Sequence, residues 1–322
     1  MAKTSGPFIK TKENHNSISL DFAVALVPIL VWSVFVFGAR VITLSLIGIV
    51  FTAVLDYLVQ RFGFQRREGV RIDVSASVYA LLSVFMMPVS VPLWLPIVSS
   101  VLVVLAKNLR VFRAKRLLNP FVFQAAVLNV IFPKIMTAFT KPFAYFSAFD
   151  ISIDPILLDH YRVISPLQYM ADGSVYEDGV MAQLYGFASG NIGEIAVFAI
   201  AVAAIWLFFR KVANPYLTFF VIFPVIILSL IFPSADAESA FFAYSTVLSG
   251  SLIFLSVFAV NESCTVPQTG TGRILFATLL GVLTFALRKT GIAFDWAYVV
   301  VLALNAASPY IDLLIRKYTK LK

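Results

Sequence analysis

From Leu20 to Ile315 the chain repeats one pattern: an apolar run of about the length that crosses a bilayer, then a short polar segment, then another run. A membrane-spanning helix needs roughly 20 mostly apolar residues. The runs fall at about 20–38, 41–60, 74–88, 92–106, 119–135, 193–209, 215–233, 239–260, 272–288 and 293–315. Composition leaves no soluble alternative: of 322 residues 60% are hydrophobic and 13% charged, with mean hydropathy +0.90, against about 25% charged in average usage. The 31 phenylalanines suit helix surfaces in lipid. Lipid offers no water to unpaired backbone groups, so the runs are read as helices. The expected fold is an all-α polytopic membrane protein of about ten transmembrane helices. The first run is long enough to span and is read as a helix, not as a cleavable signal.

The net charge of +8 is spread over short loops, so no soluble basic domain exists to bind nucleic acid. One cysteine, Cys264, excludes an internal disulfide framework and a four-cysteine zinc or iron–sulfur site within this chain. His15 and His160 are far apart, and no metal site is expected. Lysine and arginine mark the cytoplasmic loops of membrane proteins. Ten spans with the N-terminus in the cytoplasm place all but six of the 25 basic residues inside; the six are Arg40, Lys134, Lys141, Arg162, Arg288 and Lys289. Both termini are therefore expected in the cytoplasm and the chain in the cell (inner or plasma) membrane. Arg288-Lys289 is the local exception.

One long segment, 136–192, falls outside the bilayer and carries Asp150, Asp154, Asp159, Asp172, Glu177 and Asp178. It separates a first half, 1–135, from a second, 193–322. The halves echo one another. Leu82-Ser83-Val84-Phe85 resembles Leu255-Ser256-Val257-Phe258, and each is followed by a polar break ending in Val-Pro, at Val91-Pro92 and Val266-Pro267. Paired interrupted helices point to a central site in repeat-built membrane proteins. Five spans per half give the repeats inverted topology.

The second break, Asn261 to Arg273, holds a carboxylate, amides, hydroxyls and glycines between two strong spans. It reads as a segment that wraps a polar ligand or ion, or as a loop capping the ninth helix. Carboxylates near spans are Asp21, Asp56, Asp73, Glu262, Asp295 and Asp312; inside lipid such groups face protein or a water path. Asp21 and Asp312 are expected to snorkel or cap. Asp56 is within reach of Arg61 or Arg66, and Asp73 suits the start of the third helix. Asn119-Pro120 is a helix-opening pair. Gly190-Asn191-Ile192-Gly193-Glu194 opens the sixth span. No Walker, dinucleotide or HExxH motif occurs.

Taken in order, these residues resemble the NqrB/RnfD family of membrane subunits, which belong to the Na⁺-pumping NADH:quinone oxidoreductase and the Rnf ferredoxin:NAD oxidoreductase. The resemblance runs through Ser17-Ile18-Ser19-Leu20-Asp21, Asp73-Val74-Ser75-Ala76, Pro92-Leu93-Trp94-Leu95-Pro96, Leu118-Asn119-Pro120, Gly190 to Glu194, and Pro267 to Gly281. It implies two inverted five-helix repeats and a place in a multi-subunit oxidoreductase or translocase that is not active as this chain alone. Other membrane and peripheral subunits would be partners, and a flavin transferase another. It also implies FMN, esterified on a threonine within D-x-x-S-G-A-T-P-L; here Asp159 to Leu167 aligns and Ser165 holds the acceptor position, with Arg162, Val163 and Ile164 in place of small residues. Riboflavin held noncovalently is the other cofactor implied, with Asn119, Asn191, Glu262 and Thr265 as binding candidates. Asp73 and Glu262 are candidates for an Na⁺ or H⁺ path. The break departs from the family's T-D-P-x-T-S-P by carrying Glu262 for Asp, and the inner loop before the fifth span is rich in Arg and Lys instead of Gly. A flavin-free transporter or channel, or a structural subunit, is the alternative on the same scaffold.

Overall fold

A computed structural model describes residues 15–62, 73–108, 110–112, 115–116, 118–149, 163–171, 179–233, 239–291 and 294–319. All six carboxylates of the acidic segment (Asp150, Asp154, Asp159, Asp172, Glu177 and Asp178), together with His160, Arg162, Arg66 and parts of the basic loops, lie outside these residues. The first half contains α1 (His15–Phe37), α2 (Arg40–Phe62), α3 (Val74–Phe85), α4 (Leu95–Asn108), a two-stranded ribbon of β1 (Arg110–Phe112) and β2 (Lys115–Arg116), and α5 (Pro120–Ile131). Short helices α6 (Pro133–Met136), α7 (Pro166–Ala171) and α8 (Gly179–Tyr185) follow. The second half contains α9 (Val197–Phe209), α10 (Pro215–Ile231), α11 (Ser239–Leu248), α12 (Leu252–Phe258), α13 (Gly270–Arg288) and α14 (Trp296–Thr319).

Four helices, α1, α2, α13 and α14, are long and apolar enough to cross a bilayer. The bent pair α11–α12, with a 55° angle, is a fifth, and α3, α4, α5, α9 and α10 are shorter apolar helices. The described residues thus hold ten apolar elements, as the hydropathy pattern predicts. On α1, Leu20, Val24, Val27, Val31 and Phe35 are exposed, and on α2 so are Ile42, Leu46, Val50 and Val54. That helical spacing leaves an apolar stripe outward, which lipid and not water can cover.

Contacts in the two halves correspond. α2 packs on α3 and α4; α10 packs on α11, α12 and α13. α1 and α9 join the halves as an antiparallel pair: Asp21 near the start of α1 meets Arg210 at the end of α9, and Trp32 near the end of α1 meets Phe198 at the start of α9. α5 packs on α14 as the second cross-half pair. The face where α1 begins and α14 ends is called the near face below, and the opposite one the far face.

Several span boundaries differ from the sequence expectation, each for a backbone reason. α3 stops at Phe85, not at residue 88, because Met86 to Leu93 forms the break; its freed carbonyls are taken by the second half, with Gly193 N donating to Phe85 O (2.8 Å) and Ile192 N to Met87 O (2.9 Å). Gly193 fits there because a Cβ would strike the Phe85 ring. The same pairing delays α9 to Val197 instead of 193. Pro133 ends α5 at Ile131 and opens α6, so the fifth span does not run unbroken to 135. The eighth span is not one helix: it breaks at Ser249 to Ser251, where Gly250 takes φ +65°.

Two of the six basic residues that break the cytoplasmic bias are internal staples at the far face. Arg40, fully buried, donates to Val89 O (3.0 Å), Val91 O (2.9 Å) and Ser147 O (3.2 Å), holding the first break. Arg288 donates to Thr246 O (2.7 Å) and Ser249 O (3.1 Å), holding the break between α11 and α12. The Arg288 exception is thereby explained, since the charge bias concerns exposed loops.

Candidate functional site

Two clusters of buried polar groups sit at opposite faces. At the near face the break after α12 is built, not loose. Asn261 donates to Val257 O (2.9 Å) and accepts from Asn214 N (2.8 Å). Asp312 of α14, expected to snorkel or cap, is buried and caps α13: its carboxylate accepts from Gln268 N (2.9 Å), Thr269 N (3.1 Å) and the Thr269 hydroxyl (2.9 Å). Within this frame Glu262 is buried; Tyr79 of α3 donates to its Oε1 (2.5 Å) and Thr265 to its Oε2 (3.0 Å). Sequence alone pairs Glu262 with neither half; the Tyr79 bond spans 183 residues.

Glu262 and Tyr79 form the polar edge of a cavity of about 140 Å³. Phe22, Leu82, Phe121 and Phe258 supply apolar walls. Ser75 also lines it. Asn119 caps α5 by accepting from Val122 N (3.4 Å), as its sequence position predicts; its amide nitrogen is buried and has no acceptor among the described residues. Asn119 does not line this cavity.

Beside the cavity lies an ionic lock. Lys107, at the end of α4, bonds Asp56 of α2 (2.8 Å) and Asp73 (2.9 Å). Asp56 therefore pairs with Lys107 and Gln60 (2.6 Å) and not with Arg61, which instead reaches Tyr57 (2.6 Å). Asp73 also caps α3 through Ser75 N (2.9 Å). Partial burial of Asp73, just outside the span, favours its neutral form, but the Lys107 charge and hydrogen bonds outweigh this and hold its pKa at about 2. Asp73 is thus ionised throughout the physiological range and engaged in structure.

At the far face, Glu194 is buried; Tyr298 donates to its Oε1 (2.6 Å) and Asn191 to its Oε2 (2.6 Å). A cavity of about 60 Å³ is lined by these residues together with Ser165, Gln183 and Asp295. Ser165 is buried and acts locally: it precedes α7, its hydroxyl faces Gln168 N (3.4 Å), and Gln168 Oε1 accepts from Ser165 N (2.9 Å). This is a reciprocal capping box, written in Ser165-Pro166-Leu167-Gln168. The site candidates therefore divide: Glu262, Thr265 and Asp73 belong to the near face, Ser165 and Asn191 to the far face.

The described surroundings of Ser165 suit an FMN ester poorly. A phosphate would enter a cavity lined by Glu194 and Asp295, beside a buried hydroxyl already facing a helix amide. The near-face cavity is lined by Phe22, Phe121 and Phe258, with Glu262, Ser75 and Tyr79 at a hydrogen-bonding edge.

Fold and clusters together define a multi-pass membrane protein of two inverted broken-helix repeats, with one buried tyrosine–glutamate pair at each face. The chain belongs to the NQR2, RnfD, RnfE family, whose model matches residues 2–320. It is 25% identical over 313 residues to the D subunit of the proton-translocating ferredoxin:NAD(+) oxidoreductase complex of Clostridium ljungdahlii, covering 96% of this chain and 92% of that protein. The D subunit of the Na(+)-translocating ferredoxin:NAD(+) oxidoreductase complex of Acetobacterium woodii is 23% identical, with 98% and 93% covered. The B subunit of the Na(+)-translocating NADH-quinone reductase of Chromohalobacter salexigens is 26% identical, with 88% and 67% covered.

Proposed function

We propose that this chain is a membrane subunit of an Rnf- or Nqr-like ion-translocating electron-transport complex and holds a flavin noncovalently at the near face. The observation that carries the flavin assignment is the cavity joining Tyr79 and Glu262 from the two halves, with aromatic walls. A bound flavin would supply one- and two-electron transfer there. Phe22, Phe121 and Phe258 would hold its ring, and Tyr79 and Thr265 would keep the Glu262 carboxylate aimed at its polar edge. Relatives named as complex subunits support other membrane and peripheral subunits as partners. The near face is read as cytoplasmic in a plasma membrane, since Arg61, Arg210, Lys211, Arg273, Arg316 and Lys317 mark it while Arg40 and Arg288 at the far face are buried.

Purified full-length chain should carry flavin by absorbance and release it on denaturation. Glu262→Gln should cut occupancy about tenfold, as one charge-assisted hydrogen bond is worth roughly 1.5–3 kcal/mol, and Tyr79→Phe should cut it less. Absence of flavin in wild type, with the fold intact, would favour the flavin-free transporter.

A further inference from the structure

The basic segment between α4 and α5 has no part in either polar cluster. Leu109 to Leu118 holds Arg110, Arg113, Lys115 and Arg116 and no carboxylate. The ribbon of β1 and β2 pairs Arg110 with Arg116 and Phe112 with Lys115, and β2 packs on α4. Like charges directly opposite one another destabilise a strand pair, and an anion between them offsets that cost. Asp56 and Asp73 do not serve, since both are committed to Lys107 (2.8 and 2.9 Å) before the ribbon starts. The end of α2 brings a further cation to the same place. Asn108 Nδ2 faces Asp56 Oδ1 (3.4 Å) and ties the end of α4 to α2. Arg110 follows Asn108 at a distance of at most about 7 Å of chain. Arg61 follows Asp56 after about 7.5 Å of helix rise. Arg61 is exposed, its guanidinium 5.9 Å from the Tyr57 ring centroid and 5.5 Å from that of Phe62, and Phe62 is 67% exposed.

We propose that the ribbon and the end of α2 form a docking surface for the headgroups of anionic phospholipids in the near-face leaflet. Position favours lipid. The ribbon is strung between α4, which ends at Asn108, and α5, which starts at Pro120, so the chain holds it at the membrane surface. A basic residue beside an anionic leaflet gains roughly fivefold in affinity, and the attraction fades within a Debye length of about 8–10 Å. The ribbon and Arg61 lie within that reach of the span ends. Composition favours lipid over other anions. Phe62 and Phe112 stand among the charges, and aromatic rings are at home at the membrane–water interface. A free phosphate or an acidic protein surface would leave those rings in water. The surface shares no lining residue with the near-face cavity, so it stands whether or not that cavity holds flavin.

The test is native mass spectrometry of the full chain in nonionic detergent, with added dioleoylphosphatidylglycerol or dioleoylphosphatidylcholine. Wild type should retain the anionic lipid at concentrations at least about tenfold below the zwitterionic one. The triple variant Arg110→Gln, Lys115→Gln, Arg116→Gln should lose that preference and keep the wild-type unfolding midpoint. Arg61→Gln, which leaves the ribbon pairing untouched, should reduce the preference severalfold. A control triple, Lys211→Gln, Arg316→Gln, Lys317→Gln, removes the same charge from exposed positions elsewhere on the near face and should retain it. Equal retention of the two lipids by wild type overturns the surface. Equal loss in both triple variants does so too, since net charge alone would then be the cause. Displacement of the bound lipid by millimolar inorganic phosphate would reassign the surface to a free anion. A ribbon variant that keeps the lipid preference but loses copurifying subunits would reassign it to an acidic protein surface.

Discussion

At the scale of single residues, the buried charges are held by partners from other helices. Lys107 satisfies Asp56 and Asp73 at once, and its side chain is 4% exposed. Removing one member of a buried ionic group strands the others, typically at a cost of about 3–5 kcal/mol. Lys107→Met should therefore lower thermal stability in detergent sharply, and adding Asp56→Asn should recover part of the loss; an unchanged midpoint in the single variant would contradict the lock. Ser165→Ala tests the other assignment. Loss of a cap costs about 1 kcal/mol, so the variant should be slightly less stable with unchanged flavin content. Legibility at this scale follows sequence distance. The caps at Asp73 and Asn119 can be read from neighbours, and the Ser165 box is legible in Ser-Pro-Leu-Gln. Glu194 with Tyr298, 104 residues apart, and Glu262 with Tyr79 cannot. Sequence points Asp56 to Arg61, which is close along the helix, while its partner Lys107 is close only in space.

At the scale of elements, the informative features are the breaks. A helix of twelve residues such as α3 rises only about 18 Å and cannot cross a hydrocarbon core of about 30 Å alone. The break completes the path, and backbone outside helices is tolerated at such depth only when protein satisfies it. Arg40, Ile192 and Gly193 do this for the first break. Hydropathy locates the apolar runs because it reads side chains; it misses the kink at Gly250 because that depends on one residue's φ and on Arg288 from another helix. Close packing sets a further constraint. A Cβ on Gly281 of α13 would strike the Val221 carbonyl of α10, so the two backbones meet as small-residue interfaces allow. Gly281→Leu should cost at least the roughly 1–3 kcal/mol typical of overpacking, read as a lower unfolding midpoint. Leu283→Ala, at a half-exposed position on the same helix, should change it little.

At the scale of the whole molecule, the chain is an inverted repeat with one polar cluster per face. Topology is directly testable. In a Cys264→Ser background, cysteines placed at Lys211 and Lys317 should react with an impermeant maleimide from one side of the membrane, and a cysteine at Tyr145 only from the other. Labelling of the Lys211 and Tyr145 positions from the same side would contradict the ten-element path. The flavin assignment itself, a cofactor held at the near-face cavity without a bond to Ser165, is decided by the mass of the intact, denatured chain. That mass is read after coexpression with a flavin transferase, alongside the flavin recovered in the soluble fraction. Binding at the near face alone predicts the mass of the unmodified polypeptide and about one free flavin per chain. A chain heavier by one FMN, with the increment on the Ser165 peptide, would contradict it.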